Sequence, residues 1–271
     1  MSLSIPRPKK SLGQNFLFDK NILEKMIRMG KITADLPVLE IGPGPGELTQ
    51  TLLNHGCVVV AIETDRDMVT YLQNRFKSQL ADGQLTLIKN DILREDWARI
   101  LTGNKPWQVV GNIPYNISTE ILFRFIDQRE HCECGMFMVQ KEVAERVAAK
   151  HNNKAYGVLS IAVQLATTPK LLFTVGRKSF TPPPKVDSAV LFLDCLTTPF
   201  PADVYAPTMK IVRKAFQQRR KTLRNALSGV GASAESVDNV FTLLSISPKL
   251  RPENLSLADW VALGQQLRQS S

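Results

Sequence analysis

Cysteine, histidine and aromatic residues are scarce in this 271-residue chain, which has four cysteines, three histidines and 7% aromatic side chains. Four cysteines, Cys57, Cys132, Cys134 and Cys195, make no dense disulfide framework. The only metal-like cluster is His131-Cys132-Glu133-Cys134. A structural zinc needs about four ligands, usually as two separated pairs. The other histidines, His55 and His151, stand alone, so no metal site is expected and the thiols read as free groups leading into a buried strand. Long apolar runs are also missing: no stretch approaches the roughly 18 to 20 residues that span a bilayer. The start, Met1-Ser-Leu-Ser-Ile-Pro6, lacks the apolar core of a signal peptide, so a cytoplasmic protein with no membrane span is expected. Acidic residues are absent from one long segment, between Asp203 and Glu235. Over the whole chain 34 Lys and Arg face 25 Asp and Glu, a net charge of +9 with a pI near 9.5. That excess points to a polyanionic partner, either nucleic acid or an acidic membrane surface.

What is present is enough for a core. Apolar residues make up 44% and charged residues 22%, the proportions of a folded globular protein. The length fits one large α/β domain, or one such domain with a small appendage. Residues 1–18 read as a basic, Pro-containing arm with little structure of its own. Asp19 is placed to cap a short helix with Ile22, Leu23, Met26 and Ile27 on one face, ending near Gly30. Apolar runs predict strands at 38–41, 58–62, 85–88, 108–110, 136–139, 171–175 and 188–194. Helical patterns fall between them, at 47–55, 67–80, from 118 onward, and at 142–150 and 157–166. Strands alternating with helices predict a mostly parallel sheet flanked by helices, with ligands at the carboxyl ends of the strands. Beyond Leu196-Thr-Thr-Pro-Phe-Pro201 only helices are predicted, at 203–228, 234–243 and 256–268. The expected division is therefore an α/β domain at 1–197 and a small all-helical domain at 202–271.

Four strand ends carry distinctive residues. Gly42-Pro-Gly-Pro-Gly46 follows the first strand, where Gly42 and Gly44 let a ligand approach the backbone. A dinucleotide fingerprint needs its last glycine at position 47, which is Glu47. With Glu40 ahead of it, the loop fits S-adenosylmethionine better than a pyrophosphate; a plain structural turn is the alternative. Glu63 ends the second strand, where a carboxylate accepts from both ribose hydroxyls. Asp91 ends the third, where it either accepts from an adenine amine or caps the turn at Ile92-Leu93. Asn112-Ile113-Pro114-Tyr115 ends the fourth and is the sharpest signal. An adenine amine is a poor nucleophile because its lone pair is delocalised into the ring. The Asn112 oxygen and a backbone carbonyl would hold its two hydrogens and turn the lone pair outward. Pro114 stiffens the turn, and Tyr115 offers a face on which an extruded base stacks. Phe180, which opens Phe-Thr-Pro-Pro-Pro-Lys-Val-Asp-Ser188, either covers the other face of the base or anchors a loop in the core. Finally, Lys210, Arg213, Lys214, Arg219, Arg220, Lys221 and Arg224 fall in the acid-free segment and read as a phosphate-binding surface, with a solvated amphipathic face as the alternative.

These stretches resemble the KsgA/RsmA family of small-subunit ribosomal RNA adenine dimethyltransferases. The similarity is carried by Gly13-Gln-Asn-Phe-Leu17, Glu40 to Thr49, Ala61-Ile-Glu63, Gly111 to Thr119, Gln140-Lys-Glu-Val143, Tyr156-Gly157, Phe180 to Ser188 and Phe216 to Asn225, in order along nearly the whole chain. The resemblance implies a Rossmann-like class I methyltransferase domain, a helical RNA- or ribosome-binding domain and S-adenosyl-L-methionine as cofactor. It also implies two methyl groups added to each of two adjacent adenosines near the 3′ end of 16S ribosomal RNA, in the small subunit or its precursor, by a monomer. By the same resemblance Asn15 and Leu17 join the cofactor site. Ile113 stands where such proteins often carry Leu; the Asn-Ile-Pro-Tyr spelling is shared with Erm enzymes, which methylate 23S RNA. The alternatives are therefore an Erm-like large-subunit enzyme, a nicotinamide-dependent oxidoreductase and a non-catalytic RNA-binding assembly factor.

Overall fold

The computed structural model describes residues 4–228 and 233–269. In chain order the elements are β1 (Phe16–Leu17), α1 (Lys20–Met29), β2 (Val38–Ile41), α2 (Glu47–Asn54), β3 (Val59–Glu63), α3 (Arg66–Arg75), α4 (Lys77–Ala81), β4 (Leu85–Lys89), α5 (Trp97–Ile100), β5 (Trp107–Asn112), α6 (Ser118–Asp127), β6 (Cys132–Gln140), α7 (Lys141–Ala148), α8 (Val158–Ala166), β7 (Thr168–Val175), β8 (Phe180–Thr181), β9 (Ser188–Asp194), α9 (Tyr205–Gln217), α10 (Leu223–Ala226), α11 (Ala234–Leu243) and α12 (Leu257–Gln269). They pack as two units. One takes the chain up to 144 together with 170–196; the other takes 145–169 together with the chain after 196.

In the first unit seven strands form one sheet in the order β4-β3-β2-β5-β6-β9-β7. From β4 to β6 all neighbours are parallel, and β9 runs antiparallel to β6. Strand β2 lies centrally with all four residues buried, Glu40 among them, as a strand covered on both faces of a parallel sheet should be. The chain leaves β2 towards β3 and β4, then crosses back to β5 on the other side. A crevice opens where the order reverses, at the carboxyl ends of β2 and β5. Helix α1 starts where Asp19 accepts from the Asn21 and Ile22 amides, and it buries Leu23, Met26 and Ile27.

Three local expectations are corrected in outline. The arm is not structureless: β1 pairs antiparallel with β8, Leu17 opposite Phe180, because Phe16 and Leu17 are apolar enough to be buried. Residues 1–3 of that arm lie outside the described residues. The helix expected at 67–80 breaks into α3 and α4 at Phe76, whose fully buried ring sits beside Gly46. The helix expected at 203–228 breaks after Gln217, because the Leu223 and Arg224 amides donate to the carbonyls of Leu250 and Pro248 instead of continuing the ladder.

The second unit is helical. It includes 145–169, whereas the sequence places that stretch with the α/β domain. The physical reason is α8: seven of its nine residues are buried, so it needs cover on most of its surface, and α9 and α12 supply it. Helices α9 and α12 meet closely at Gly264, where an added Cβ would lie 2.8 Å from the Thr208 Cα. No described helix is long and apolar enough to cross a membrane.

Candidate active site

One cleft in the first unit gathers Asn15, Leu17, Gly42, Gly44, Glu63, Asp91, Asn112, Pro114 and Tyr115. It sits at the carboxyl ends of β2, β3, β4 and β5, as the strand-end residues required. Gly42 has φ +65, and a Cβ there would meet nothing within 4 Å, so a side chain would project into open space that a ligand could take.

The Glu63 carboxylate is 4% exposed and doubly held, accepting from the Gly44 amide at 3.1 Å and the Asp65 amide at 2.8 Å. Burial raises its pKa, while those two amides favour the charged form. Each oxygen keeps a second lone pair, and because Glu63 lines the cleft it could accept from ribose hydroxyls there. Glu40, whose position the sequence reading used only as context, is buried at 1% exposure and its Oε2 has no hydrogen-bond partner. Burial, with the nearby charge of Glu63, pushes it up to about 8. An orphaned buried carboxyl on the cleft wall fits a ligand bearing an ammonium group. Glu47 also lines the cleft, in the first turn of α2, and pairs with Arg75 at 2.6 Å. A helix N-terminus in that place would hold a pyrophosphate in a dinucleotide enzyme. The carboxylate opposes one, which weighs against a nicotinamide cofactor and fits a cofactor that carries no phosphate. Asp91 accepts from the Leu93 amide at 3.0 Å, so one oxygen is the turn cap, and its half-buried side chain also lines the cleft.

Asn112 donates its side-chain amide to the Asn15 carbonyl at 3.0 Å. That bond orients the side chain and leaves Oδ1 as the acceptor, the role an amine-holding Asn requires. Tyr115 bonds the Ser188 hydroxyl at 2.6 Å. Burial raises the Tyr115 pKa, so the hydroxyl stays neutral and the ring is held in place by it. Ser118 Oγ donates to the Tyr115 carbonyl at 3.1 Å and closes the turn.

Phe180 is corrected. It is 2% exposed, belongs to the hydrophobic core and does not line the cleft, because β8 pairs with β1 and turns the ring inward. It is the loop anchor rather than a free stacking face. Its segment still reaches the site through Ser188. The basic segment is corrected in part. Arg224 forms a bidentate pair with Asp238, both bonds 2.6 Å, and Arg219 lies 3.5 Å from Glu253 and donates to the Lys154 carbonyl. These acids lie outside the acid-free segment, so the sequence spacing hid them. Lys210, Arg213, Arg220 and Lys221 are exposed, Lys214 is half-buried, and none has an ion pair among the described residues.

Among the described residues no group of three or more His, Cys, Asp or Glu is placed to hold a metal. All four cysteines are unbridged; burial pushes each thiol up, Cys132 to about 12, so they are inert thiols at neutral pH. Sequence reasoning missed Glu40, Glu47 and the residues around Asp65. Glu40 had a readable signal, a lone acid inside an apolar strand.

The profile of the family described as ribosomal RNA adenine dimethylase matches residues 6–269. The chain is 42% identical to the ribosomal RNA small subunit methyltransferase A of Nitrosococcus oceani, over 95% of each chain. It is 38% identical to that of Acinetobacter baylyi, over 96% of this chain and 93% of the relative. Among solved structures, a dimethyladenosine transferase from Plasmodium falciparum superposes with TM-score 0.74 at 28% identity, over 94% of this chain and 98% of that one. The 23S rRNA methyltransferase ErmE shares the fold, with TM-score 0.71 at 22% identity over 94% of this chain and all of that one.

Proposed function

The chain belongs to the ribosomal RNA adenine dimethylase family, and from that premise we propose that it methylates the exocyclic amines of two adjacent adenosines near the 3′ end of small-subunit ribosomal RNA, giving dimethyladenosines. The observation that carries the reading is Asn112. Its Nδ2 is tied to the Asn15 carbonyl and its Oδ1 is left to accept, at a strand end beside the Gly42–Gly46 loop.

S-adenosylmethionine supplies an electrophilic methyl group when it is bound. Glu63 would take the ribose hydroxyls, Gly42 would let the ligand lie against the backbone, Glu40 would face the ammonium group, and Asp91 the adenine edge. The target base is extruded and stacks on Tyr115, whose ring the Ser188 bond keeps from rotating. The Asn112 oxygen and a carbonyl of the 112–115 turn hold the two amine hydrogens. The amine nitrogen then becomes pyramidal, with its lone pair exposed in the direction of the cofactor. Asn112 is neutral and takes no proton; the amine loses one to solvent after it has become cationic. The contribution of these residues is orientation, which brings down the barrier by fixing a reactive geometry in advance. The exposed cations between Lys210 and Lys221 would hold RNA phosphates, which position the RNA without reading its bases.

The small-subunit relatives cover the chain end to end at about 40% identity, whereas ErmE is similar at 22%. Those identities favour small-subunit over large-subunit RNA. The test is radiolabelled methyl transfer to purified, unmethylated small-subunit particles and to large-subunit particles, with Asn112→Ala alongside. Small-subunit labelling that Asn112→Ala abolishes, with cofactor binding within a few-fold of normal, is expected. Labelling of the large-subunit particle alone would reassign the substrate, and an active Asn112→Ala would remove the amine-holding role.

A further inference from the structure

The N-terminal segment is tied to the cleft by a network that spans most of the first hundred residues. Lys9 Nζ lies 2.5 Å from Asp65 Oδ1 and 2.7 Å from Asp67 Oδ2. The Lys9 amide donates to Gln14 Oε1 at 2.7 Å, and Gln14 Nε2 donates to the second Asp65 oxygen at 3.1 Å. Both Asp65 oxygens are thus taken from the arm, and the Asp65 side chain is fully buried while Lys9 keeps 40% of its side chain in solvent. The hydrogen bonds from Lys9 and Gln14 hold the Asp65 carboxyl below its ordinary range, although burial alone would raise it.

Two bonds carry this network to the reacting groups. The Asp65 amide donates to Glu63 Oε1 at 2.8 Å, and the Asn15 carbonyl, one residue after Gln14, accepts the Asn112 side-chain amide at 3.0 Å. The arm therefore meets the chain at two places: at Asp65, beside the carboxylate that fits ribose, and at Asn112, beside the amine. Between them Gly13, Gln14, Asn15 and Phe16 line the cleft. Segment 9–17 is anchored at its far end, where β1 pairs with β8 and Phe16 and Leu17 are buried. Without the ion pair, the stretch from Lys9 to Asn15 would be held to Asp65 by the Gln14 bond alone, and the chain entropy of that stretch would favour its loosening.

We propose that Lys9 is a positioning residue, whose ion pair with Asp65 and Asp67 latches segment 9–15 over the cofactor cleft and through Asn15 holds Asn112 with its oxygen towards the target amine. This rests on the assignment of Asn112 made above for the second link only; the latch over the cofactor stands on the first.

The test uses the full-length protein without RNA and compares Lys9→Ala, Lys9→Arg, Asp65→Asn and the double variant Lys9→Ala/Asp65→Asn. Asn still caps α3, so the Asp65 change spares the helix start. Amide exchange over residues 10–15 reads the latch directly, and calorimetry with S-adenosylmethionine reads its effect on the cleft. Lys9→Ala should speed exchange there and weaken cofactor binding by about two- to fivefold, the upper part of the range of a partly exposed ion pair. Lys9→Arg should restore both. The double variant should be little worse than either single one, since the two side chains act as a pair. Raised salt should weaken cofactor binding by the natural protein more than by Lys9→Ala. Unchanged exchange and affinity in Lys9→Ala would overturn the latch. So would loss of both in Lys9→Arg together with a lowered Tm, which would mark Lys9 as ordinary packing. Because no RNA is present, failure of the latch leaves the methylation reading standing, and failure of RNA methylation leaves the latch standing.

Discussion

Tyr115 separates two kinds of contribution that a single side chain makes. Its ring is the stacking face, and its hydroxyl is the tether to Ser188, itself fully buried. Tyr115→Phe keeps the face and strands a buried hydroxyl on Ser188, so it should cost about 1–3 kcal/mol of stability and change turnover little. Tyr115→Ala removes the face and should cost about 1–3 kcal/mol of base binding, read as a fall of about five- to 150-fold in kcat/KM for RNA. Equal activity in the two variants would remove the stacking role. Glu40 gives a prediction in pH. Its folded value of about 8 lies above the ordinary 4.5 because burial penalises the charge. Between those two values the unfolded chain has released the proton and the folded chain has kept it. Stability contributed by this group therefore falls as pH rises through that window and levels off above it, with a limiting slope of about 1.4 kcal/mol per pH unit. Glu40→Gln does not titrate, so urea unfolding without cofactor at pH 5, 6.5 and 8 should show the variant gaining on the natural protein as pH rises. Parallel curves would show that Glu40 is ionised in the folded state.

At the scale of elements, the acid-free segment divides into cations with different roles. Arg220 and Lys221 lie exposed in the turn between α9 and α10, whereas Arg224 grips Asp238. Arg220→Glu with Lys221→Glu should weaken binding to small-subunit particles and reduce the log–log salt slope by about 0.7 to 0.9 per lost phosphate contact. Arg224→Glu should instead loosen the link from α10 to α11 and lower Tm. A slope that does not change in the first variant would make the turn a solvated face. The same segment shows why sequence patterns read some things and not others. Apolar periodicity reports which residues are buried, and it located β2 at 38–41 and β9 at 188–194 at their observed limits. It does not report partners. Asp238 and Glu253 neutralise arginines from outside the segment, Phe180 is buried because a two-residue strand far upstream pairs with its own, and Lys9 meets Asp65 across 56 positions. None of those pairings leaves a local signature.

For the molecule as a whole, the strand-end rule did most to make the site legible: Gly42, Glu63, Asp91 and Asn112 were each placed by where an apolar run stopped, and the sheet order brings them to one cleft. The division of the chain was harder to read. A change from strands to helices after 196 is visible in composition, but nothing local tells that 145–169 groups with the later helices, since that depends on what α8 packs against. Asn15 and Leu17 were recognisable only through resemblance, because an arm that folds onto a distant strand has no pattern of its own. The central claim is that the cleft methylates adenine amines of small-subunit ribosomal RNA. Mass spectrometry of both ribosomal RNAs, from cells with and without this protein, tests it most directly. Two adjacent dimethyladenosines near the 3′ end of the small-subunit RNA should vanish when the protein is removed and return with the natural protein but not with Asn112→Ala. Unchanged small-subunit RNA, or a loss confined to the large-subunit RNA, would contradict it.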